Sequence, residues 1–498
     1  MRPFVLKLSI AEMSLDHLNA DVLCLILALT DVYTILSLSR VNKYLLSISS
    51  SRPVWVSVVL DLSSRHLIDL PLDIIVENLS TEELKDEVKR VVMGPRTWSP
   101  TSLEPPTLLR RKVIPMQKRG FTDGCFRSTA YIITYVEQST SDDGAGGNMI
   151  QLLETHTGRI VWSWSRLGHI VFEVQCEFRG RSAVAALVFS TPDSQESHIL
   201  ILELDLKTGD SRELLAIDGL LNIPFGLRIS GDYFACETVH DNCVLLVNWS
   251  ISQFIVFRTA SCRMELCLGH LLLPHRGRHP HVRLYSFGLF DSLWAPISQL
   301  GFDSPTSLFE SPPSLTLELA SNNVPHHFQL STNLFESPIH ADTYDFISEV
   351  TSIMPRRTVL LTRLFSWFRS TPLPPLATYG SGKLKVTTRA QYRLTLGSLP
   401  GQPGTSKLPH FTVQSVVRHC RSVRRCTSRA GYGLWYGGTV PSIKEFVVQR
   451  LDSFDRVKPL KIPLPDDSPD EVPYDMWLTH SGAVLAMYRS KIVVSHYL

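Results

Sequence analysis

Long hydrophobic runs and an excess of one charge are both missing from this 498-residue sequence. No run reaches the roughly 18 apolar residues that a membrane-spanning helix needs, and the longest, at 183–189, has the length of a strand. The first 15 residues hold no long apolar core, so we expect neither a secretory signal nor a membrane anchor. The 49 basic and 47 acidic side chains leave a formal charge of +2, which argues against nucleic acid as a general partner.

Sequence signatures of catalysis and of metal binding are equally scarce. Nine widely scattered cysteines, an odd number, favour a reducing compartment, so we expect a cytoplasmic or nuclear protein. No phosphate-binding glycine loop and no nucleophile elbow occurs. His275, His279 and His281 lack a cysteine at zinc-finger spacing, and the pair Cys420 and Cys426 matches no zinc motif. We therefore expect no catalytic residue, no metal and no cofactor.

Apolar residues recur at helical spacing three times between residues 18 and 55. The three stripes are Val22, Leu23, Ile26 and Leu27, then Ile35, Leu36 and Leu38, then Val41, Leu45 and Ile48. Asp31 is placed to cap the second helix, and the Ser-rich stretch with Pro53 predicts a break before Trp55. About 40 residues form a marginal core alone, so we expect the rest of the chain or a partner to cover these helices.

A further helix is predicted after these three. Ser80 and Glu83 form a capping box at its start, and Gly94-Pro95 ends it. Between these signals Leu84, Val88 and Val91 share one face, which predicts an amphipathic helix.

The order and spacing of the first anchors resemble an F-box. The matching segments are Leu18-Asn-Ala-Asp-Val-Leu-Cys-Leu-Ile-Leu27, Asp31, Leu36-Ser-Leu-Ser-Arg-Val-Asn-Lys43, Leu45 and the closing Trp55. The chain departs from the family at Asn19, where proline is usual, and at Tyr44, where many members carry tryptophan. A rival start at Leu70-Pro-Leu-Asp-Ile-Ile75 keeps the proline, but the capping box after it opens a separate helix. Some fungal-type F-box proteins have a similar later segment, here 79–84 with Trp98.

The resemblance implies a non-catalytic role in protein ubiquitination. F-box proteins dock on the Skp-type adaptor of a cullin–RING ubiquitin ligase, the SCF complex, and hold a substrate with their downstream domain. The implied partners are therefore the adaptor, the cullin scaffold and an unidentified protein target, which is ubiquitinated because it is held nearby. The residues implied to bind the adaptor or to hold the box together are Leu18, Val22, Leu23, Ile26, Leu27, Ile35, Leu36, Val41, Leu45 and Trp55.

From Ser99 onward short β-branched runs replace the helical pattern. Strands such as 131–136, 199–202 and 244–249 are divided by Gly, Asp and Ser clusters, which is typical of hairpins. Two segments have the pattern of a strand, a Thr-Gly turn and a second strand, with the turn glycines at Gly158 and Gly209. Their spacing is about the length of one propeller blade. The pattern is similar to degenerate WD-like propellers, of roughly six to eight blades, and a β structure of several sheets is the alternative.

Two segments depart from the surrounding composition. Residues 303–340 are rich in Ser and Pro and contain Leu-Phe-Glu-Ser-Pro twice, which we interpret as a loop or a strand-bearing insertion with a chance duplication. Between Glu349 and Glu445 there is no acidic residue, whereas 15 residues are Lys or Arg. Arg421, Arg424 and Arg425 are the candidates for binding an acidic or phosphorylated target. The alternative is that the acidic remainder of the chain neutralises this stretch.

The expected fold class is α+β multidomain, with an all-α F-box module followed by an all-β, WD-like propeller domain. The expected division is a tail at 1–13, the F-box module at 14–60, a helical extension at 61–98 and the propeller at 99–498. The expected function is that of a substrate receptor of an SCF ligase. An interaction scaffold that works without a ligase remains open, as does a propeller-type hydrolase or lyase with a deep pocket of carboxylates or histidines.

Overall fold

The computed structural model shows helices up to residue 98 and strands from residue 108 onward. The described residues are 18–65, 67–68, 75–99, 102–115, 120–121, 130–138, 147–155, 157–166, 168–191, 196–220, 224–238, 243–258, 264–275, 280–300, 306–307, 313–319, 328–340, 342–355, 383–396, 409–419, 425–426, 432–435, 445–450, 460–463, 473, 475–479, 482–488 and 490–497. The predicted tail and most of the rival F-box start lie outside them.

Between residues 18 and 99, as far as the structure describes them, the chain forms five α-helices. They are α1 (Ala20–Ala28), α2 (Val32–Leu38), α3 (Lys43–Ser49), α4 (Arg52–Ser64) and α5 (Thr81–Met93), with short 3₁₀ turns at Val76–Asn78 and Arg96–Trp98. Asp31 caps α2 and the capping box of Ser80 and Glu83 opens α5, as predicted. The predicted break between the third stripe and Trp55 is confirmed, because α3 ends at Ser49 and a new helix begins at Arg52. The helix that follows the break was not predicted; Pro53 lies in its first turn, where the missing N–H costs no hydrogen bond.

These helices share one hydrophobic core, and we call residues 18–98 the helical module. Leu84, Val88 and Val91 of α5 are buried against the same cluster as Leu23 and Leu27 of α1. The segment predicted as a separate extension at 61–98 therefore completes the core of the first helices. In the described part of the chain no single helix is long and apolar enough to span a membrane; α3 and α4, bent by 49°, pass that test only as a pair.

In the described residues seven sheets follow, antiparallel except for the pairing of one edge strand, and we number them as blades in chain order. Blade 1 holds β2 (Gly120–Phe121), β3 (Tyr131–Gln138), β4 (Gly147–Glu154) and β5 (Ile160–Ser165). Blade 2 holds β6 (Ile170–Arg179), β7 (Ser182–Ser190), β8 (Ser197–Asp205) and β9 (Ser211–Leu220). Blade 3 holds β10 (Pro224–Ser230), β11 (Tyr233–Thr238), β12 (Cys243–Asn248) and β13 (Gln253–Arg258), with β17 (Ala295–Pro296) and β18 (Thr306–Ser307) added at its edge.

The remaining blades follow the same pattern. Blade 4 holds β14 (Glu265–Cys267), β15 (His270–His275), β16 (His281–Ser286) and β19 (Leu315–Glu318), with 3₁₀ turns at Phe287–Phe290 and Ile297–Gln299 after β16. Blade 5 holds β20 (Phe328–Glu336), β21 (Thr343–Pro355), β22 (Lys383–Thr395) and β23 (His410–His419). Blade 6 holds β24 (Arg425–Cys426), β25 (Tyr432–Trp435), β26 (Glu445–Arg450) and β27 (Leu460–Pro463). Blade 7 holds β28 (Asp475–Leu478), β29 (Val484–Met487), β30 (Lys491–Tyr497) and β1 (Leu108–Pro115).

The sheets close into a β-propeller. Hydrophobic clusters join blades 1 and 2, 2 and 3, 3 and 4, 4 and 5, 6 and 7, and 7 and 1. The ring is closed by β1, the first strand of the domain, which pairs with β30, the last. Gly158 and Gly209 occupy the same turn in consecutive blades with positive φ, so the predicted strand–turn–strand repeat is confirmed. The Ser/Pro-rich segment at 303–340 bears strands, which was one of the two interpretations of it, and it supplies β18, β19 and β20 to blades 3, 4 and 5.

The helical module lies over one face of the propeller. One central cavity is lined by the first strands of four blades, namely β6, β10, β14 and β20. The first strand of a blade is therefore the strand closest to the centre of the propeller. Because neighbouring strands are antiparallel, the turns after first and third strands share one face. Gly180, in such a turn, donates its N–H to the carbonyl of Ser64 at 2.9 Å. We call this side the module face and the opposite side the open face.

Candidate docking surfaces

The ten residues implied to bind the adaptor separate into two groups in the structure. Leu23, Leu27, Ile35, Leu45 and Trp55 are buried in the core of the helical module, and Leu18 is partly buried against it. The side chains of Val22, Ile26, Leu36 and Val41 are exposed. The buried group holds the helices together, so only the exposed group is available to a partner.

One face of α1 carries a continuous row of exposed apolar side chains. Val22, Leu25, Ile26 and Leu29 are 43%, 68%, 39% and 90% exposed. They lie three or four residues apart, so they share one side of the helix, and Leu23 and Leu27 occupy the other. We call these four residues the α1 stripe. The sequence prediction missed Leu25 and Leu29, although their spacing from Val22 follows the helical period that revealed the other residues.

The two departures from the F-box pattern have structural roles. Asn19 caps α1, since its side-chain oxygen accepts a hydrogen bond from the N–H of Asp21 at 3.2 Å. A cap of this kind fixes the start of the helix where a proline is otherwise usual. Tyr44 donates its hydroxyl to the carbonyl of Leu18 at 3.1 Å, which joins α3 to the residue before α1.

The helical module meets the propeller through the turn between β20 and β21. Ile339 of this turn packs against the core of the module and accepts a hydrogen bond from the N–H of Tyr33 at 3.1 Å. The Tyr33 and His340 rings lie 4.6 Å apart. The propeller therefore covers part of the apolar surface of these helices and leaves the α1 stripe exposed.

A cavity of about 410 Å³ lies at the module end of the central channel. Its carboxylates are clustered, as the hydrolase alternative predicts, but three of them are held in ion pairs. The partners are Glu177 with Arg179, Glu265 with Arg228 and Glu336 with Arg65, at 2.5 to 2.9 Å. The pairs of Glu265 and Glu336 join neighbouring elements, whereas Glu177 and Arg179 both belong to β6. Burial raises the pKa of the Tyr344 hydroxyl well above its usual range, so this lining residue stays protonated.

The histidines singled out in the sequence lie in blade 4. His275 and His281 are opposite each other in β15 and β16, with ring centroids 4.5 Å apart, and His279 lies outside the described residues. Burial, followed by the charges of His281 and Arg283, lowers the pKa of His275. Among the residues that the structure describes, no group of three or more potential ligands could hold a metal ion.

The acid-free stretch is partly neutralised within blade 5. Arg393 of β22 donates its Nε to the Oδ1 of Asp345 in β21 at 3.1 Å, and Arg389 lies opposite Glu349 in the same pair of strands. Of the candidate arginines, Arg425 begins β24, and Arg421 and Arg424 lie outside the described residues. The described contacts thus favour neutralisation inside the fold for this part of the stretch.

Comparison with known proteins gives structural neighbours only. No protein-family model matches the chain, and no curated protein matches its sequence. The chain is similar to the WD40 domain of SCAP from fission yeast, with 10% identity and a TM-score of 0.36 over 78% of this chain and 98% of that one. It is also similar to the C-terminal WD40 domain of Sif2, with 11% identity and a TM-score of 0.31 over 79% and 97%.

A third neighbour comes from a study of two prolyl endopeptidases, with 11% identity and a TM-score of 0.32. It covers 90% of this chain and only 51% of the peptidase chain. At such TM-scores these likenesses add nothing to the seven sheets, on which the propeller fold rests. The enzymatic alternative and the F-box resemblance of the helical module both remain predictions.

Proposed function

We propose that this chain is a protein-interaction scaffold that serves as the substrate receptor of an SCF ubiquitin ligase. The helical module binds the Skp-type adaptor, and the propeller holds a protein target on its open face. The observation that carries this proposal is the α1 stripe, because it leaves four large apolar side chains in water on one helix. Contiguous apolar surface of this kind on a soluble protein marks a site of interaction.

The placement of the two parts suits a receptor. The module contacts the propeller through Ser64, Arg65 and Tyr33, all on the module face. The open face lies at the other end of the channel, so a target there and an adaptor on the helices do not compete for space. Holding the target near a ubiquitin-loaded enzyme raises its effective concentration, which needs no catalytic residue in this chain.

The proposal is tested by affinity purification from cells, followed by mass spectrometry. The variant Val22→Asp/Ile26→Asp places two carboxylates in the α1 stripe, where desolvation of charge in an apolar interface weakens binding by roughly a hundredfold or more. Leu60→Asp is the matched control, because Leu60 is an exposed apolar residue of α4, 43% accessible. Leu27 is unsuitable for substitution, since it is 1% exposed and its loss would unfold the module.

The wild-type chain and Leu60→Asp are expected to recover adaptor and cullin, and the stripe variant to lose both while retaining its helical circular dichroism. Absence of the adaptor from all three samples would overturn the proposal. Recovery of the adaptor with no protein that accumulates when the gene is deleted would instead identify a scaffold that binds the adaptor without delivering a target.

A further inference from the structure

Two innermost strands are irregular at their open-face ends. In β6 the pairing with β7 passes from Val171 to Glu173, which leaves Phe172 as the extra residue of a β-bulge. In β10 the pairing with β11 passes from Phe225 to Arg228 and leaves a second bulge directly after Phe225. Bulges re-aim side chains out of the regular alternation. The rings of Phe172 and Phe225 are 44% and 38% exposed on strands that line the channel.

One carboxylate joins the two bulges. The carboxylate of Glu173 accepts hydrogen bonds from the N–H of Gly226 at 2.7 Å and from the N–H of Leu227 at 3.0 Å. These are the two residues of β10 that the bulge leaves without a pairing partner in β11. Gly226 has a φ of +65°, a conformation that glycine adopts most readily. Because Glu173 follows Phe172 and Gly226 follows Phe225, this clamp fixes the two phenylalanines in neighbouring blades.

Two other innermost strands contain buried apolar residues. Leu266 and Cys267 of β14 are buried, as are Met476 and Leu478 of β28. Among the first-strand side chains that the structure describes, the exposed phenylalanines are Phe172 and Phe225, in neighbouring blades 2 and 3. Exposed apolar rings held in place by a bulge and a clamp are typical of a binding site.

A positive charge lies at the open-face end of blade 2, where Phe172 is also found. The guanidinium of Arg166 lies over the ring of Phe189 at 5.4 Å, and Phe189 is paired with Val171, next to Phe172. Arg166 is exposed and forms no ion pair with any residue that the structure describes. The nearby carboxylate of Asp218 is bound by His198 at 2.7 Å. A cation oriented by an aromatic ring is well suited to accept a carboxylate from a partner.

We propose that Phe172, Phe225 and Arg166 form a docking surface for an extended acidic peptide. The peptide inserts one large apolar side chain between the two phenylalanine rings at the channel rim and places a carboxylate on Arg166. This inference deepens the target-holding half of the proposed function. It is measured independently of the helical module, so its failure and the failure of adaptor binding are distinguishable.

The experiment presents the full-length chain to a phage-displayed library of random nonapeptides and measures the affinity of enriched peptides by fluorescence anisotropy. The variants are Phe172→Ser/Phe225→Ser and, separately, Arg166→Glu. Ile251→Ser is the matched control, because Ile251 is 55% exposed in the turn between β12 and β13 on the module face. All substituted side chains are exposed, so the thermal unfolding midpoint checks that each variant keeps the wild-type fold.

The expected enrichment is for peptides with an aromatic or long aliphatic residue within three positions of Asp or Glu. We expect the double variant to lose at least tenfold in affinity, Arg166→Glu to lose the preference for acidic residues, and Ile251→Ser to match wild type. No enrichment, enrichment of basic peptides, equal binding by all variants, or binding that requires a phosphorylated residue would overturn the inference.

Discussion

Arg65, at the end of α4, donates its Nε to the Oε1 of Glu336 at 2.9 Å and thereby ties the helical module to blade 5. Its Nη1 pairs with Asp61, one turn earlier in the helix, at 2.9 Å. Burial lowers the pKa of Arg65, but the charges of Glu336 and Asp61 outweigh burial and raise the pKa above its usual value. The arginine is therefore charged at every pH at which the chain is folded.

We predict a small coupling energy for this pair. Both side chains are partly exposed, 28% for Arg65 and 37% for Glu336, so solvent screening limits the interaction to about 0.5–1 kcal/mol. A double-mutant cycle with Arg65→Ala and Glu336→Ala measures it from the free energies of unfolding. Salt should reduce the value, and a coupling energy of zero at low salt would show that the pair contributes nothing to docking.

Acid should weaken the contact between module and propeller at His340. Burial, followed by the charge of Arg393, lowers the pKa of His340 below 6.5, and the opposing charges of Asp31 and Asp345 do not compensate. The unfolded chain then binds more protons, so stability is present above about pH 6.5 and is lost as the pH falls. Because His270 and His275 have lowered pKa values too, the comparison is between wild type and His340→Gln.

The measurement is the free energy of unfolding of both proteins at pH 7.5 and pH 5.5. Wild type is expected to lose more stability than His340→Gln between these values. An equal loss in the two proteins would show that His340 is not responsible.

Trp98 anchors the end of the module between blades 6 and 7. It is 3% exposed, and its ring lies 5.6 Å from that of Tyr432 and 5.4 Å from that of Tyr497. Trp98→Ala should lower the free energy of unfolding by about 3–5 kcal/mol, since a cavity replaces the ring. Trp98→Phe should cost much less, because the indole N–H has no hydrogen-bond partner among the described residues. Denaturant unfolding of wild type and the two variants gives both differences in free energy. If Trp98→Ala had the same free energy of unfolding as wild type, the burial of Trp98 between blades 6 and 7 would be contradicted.

The sequence predicted the helices of the module well because each has local signals. Caps such as Asp31 and Ser80 and apolar residues at helical spacing act within a few residues, so they can be recognised without tertiary structure. The fourth helix was missed because Pro53 was interpreted as a break, when only its position in the first turn decides the outcome. Which apolar residues are buried depends on α5 and on the turn at Ile339, which are distant in sequence.

A tight approach between blades 1 and 2 makes Gly209 irreplaceable. Its φ is +81°, and a Cβ there would lie 2.2 Å from the carbonyl oxygen of Val161 in β5. Gly269 is the control: its φ is +66°, but no atom lies within 4 Å of the place that a Cβ would occupy. Substitution of Gly269 therefore measures the cost of the backbone conformation without the steric clash. Gly269→Ala should cost about 1 kcal/mol and Gly209→Ala clearly more. Equal unfolding midpoints for the two variants would contradict the close approach of these blades.

The docking surfaces were predictable only in part. The helical period that revealed Val22 and Ile26 also includes Leu25 and Leu29, but exposure is decided by the fold. The bulges at Phe172 and Phe225 leave no mark in the sequence, because their cause is the long-range hydrogen bonding of Glu173 to the next blade. The sequence could not decide between a loop and strands at 303–340, because the Ser and Pro content of this segment hides the strands β18, β19 and β20.

We propose that the helical module binds a Skp-type adaptor directly through the α1 stripe. The most direct measurement is co-expression of the full-length chain with the adaptor, followed by size-exclusion chromatography with light scattering. We predict a one-to-one complex for wild type and for Leu60→Asp, and two separate peaks for Val22→Asp/Ile26→Asp. Separate peaks for the wild-type chain, or a stable complex with the stripe variant, would contradict the account.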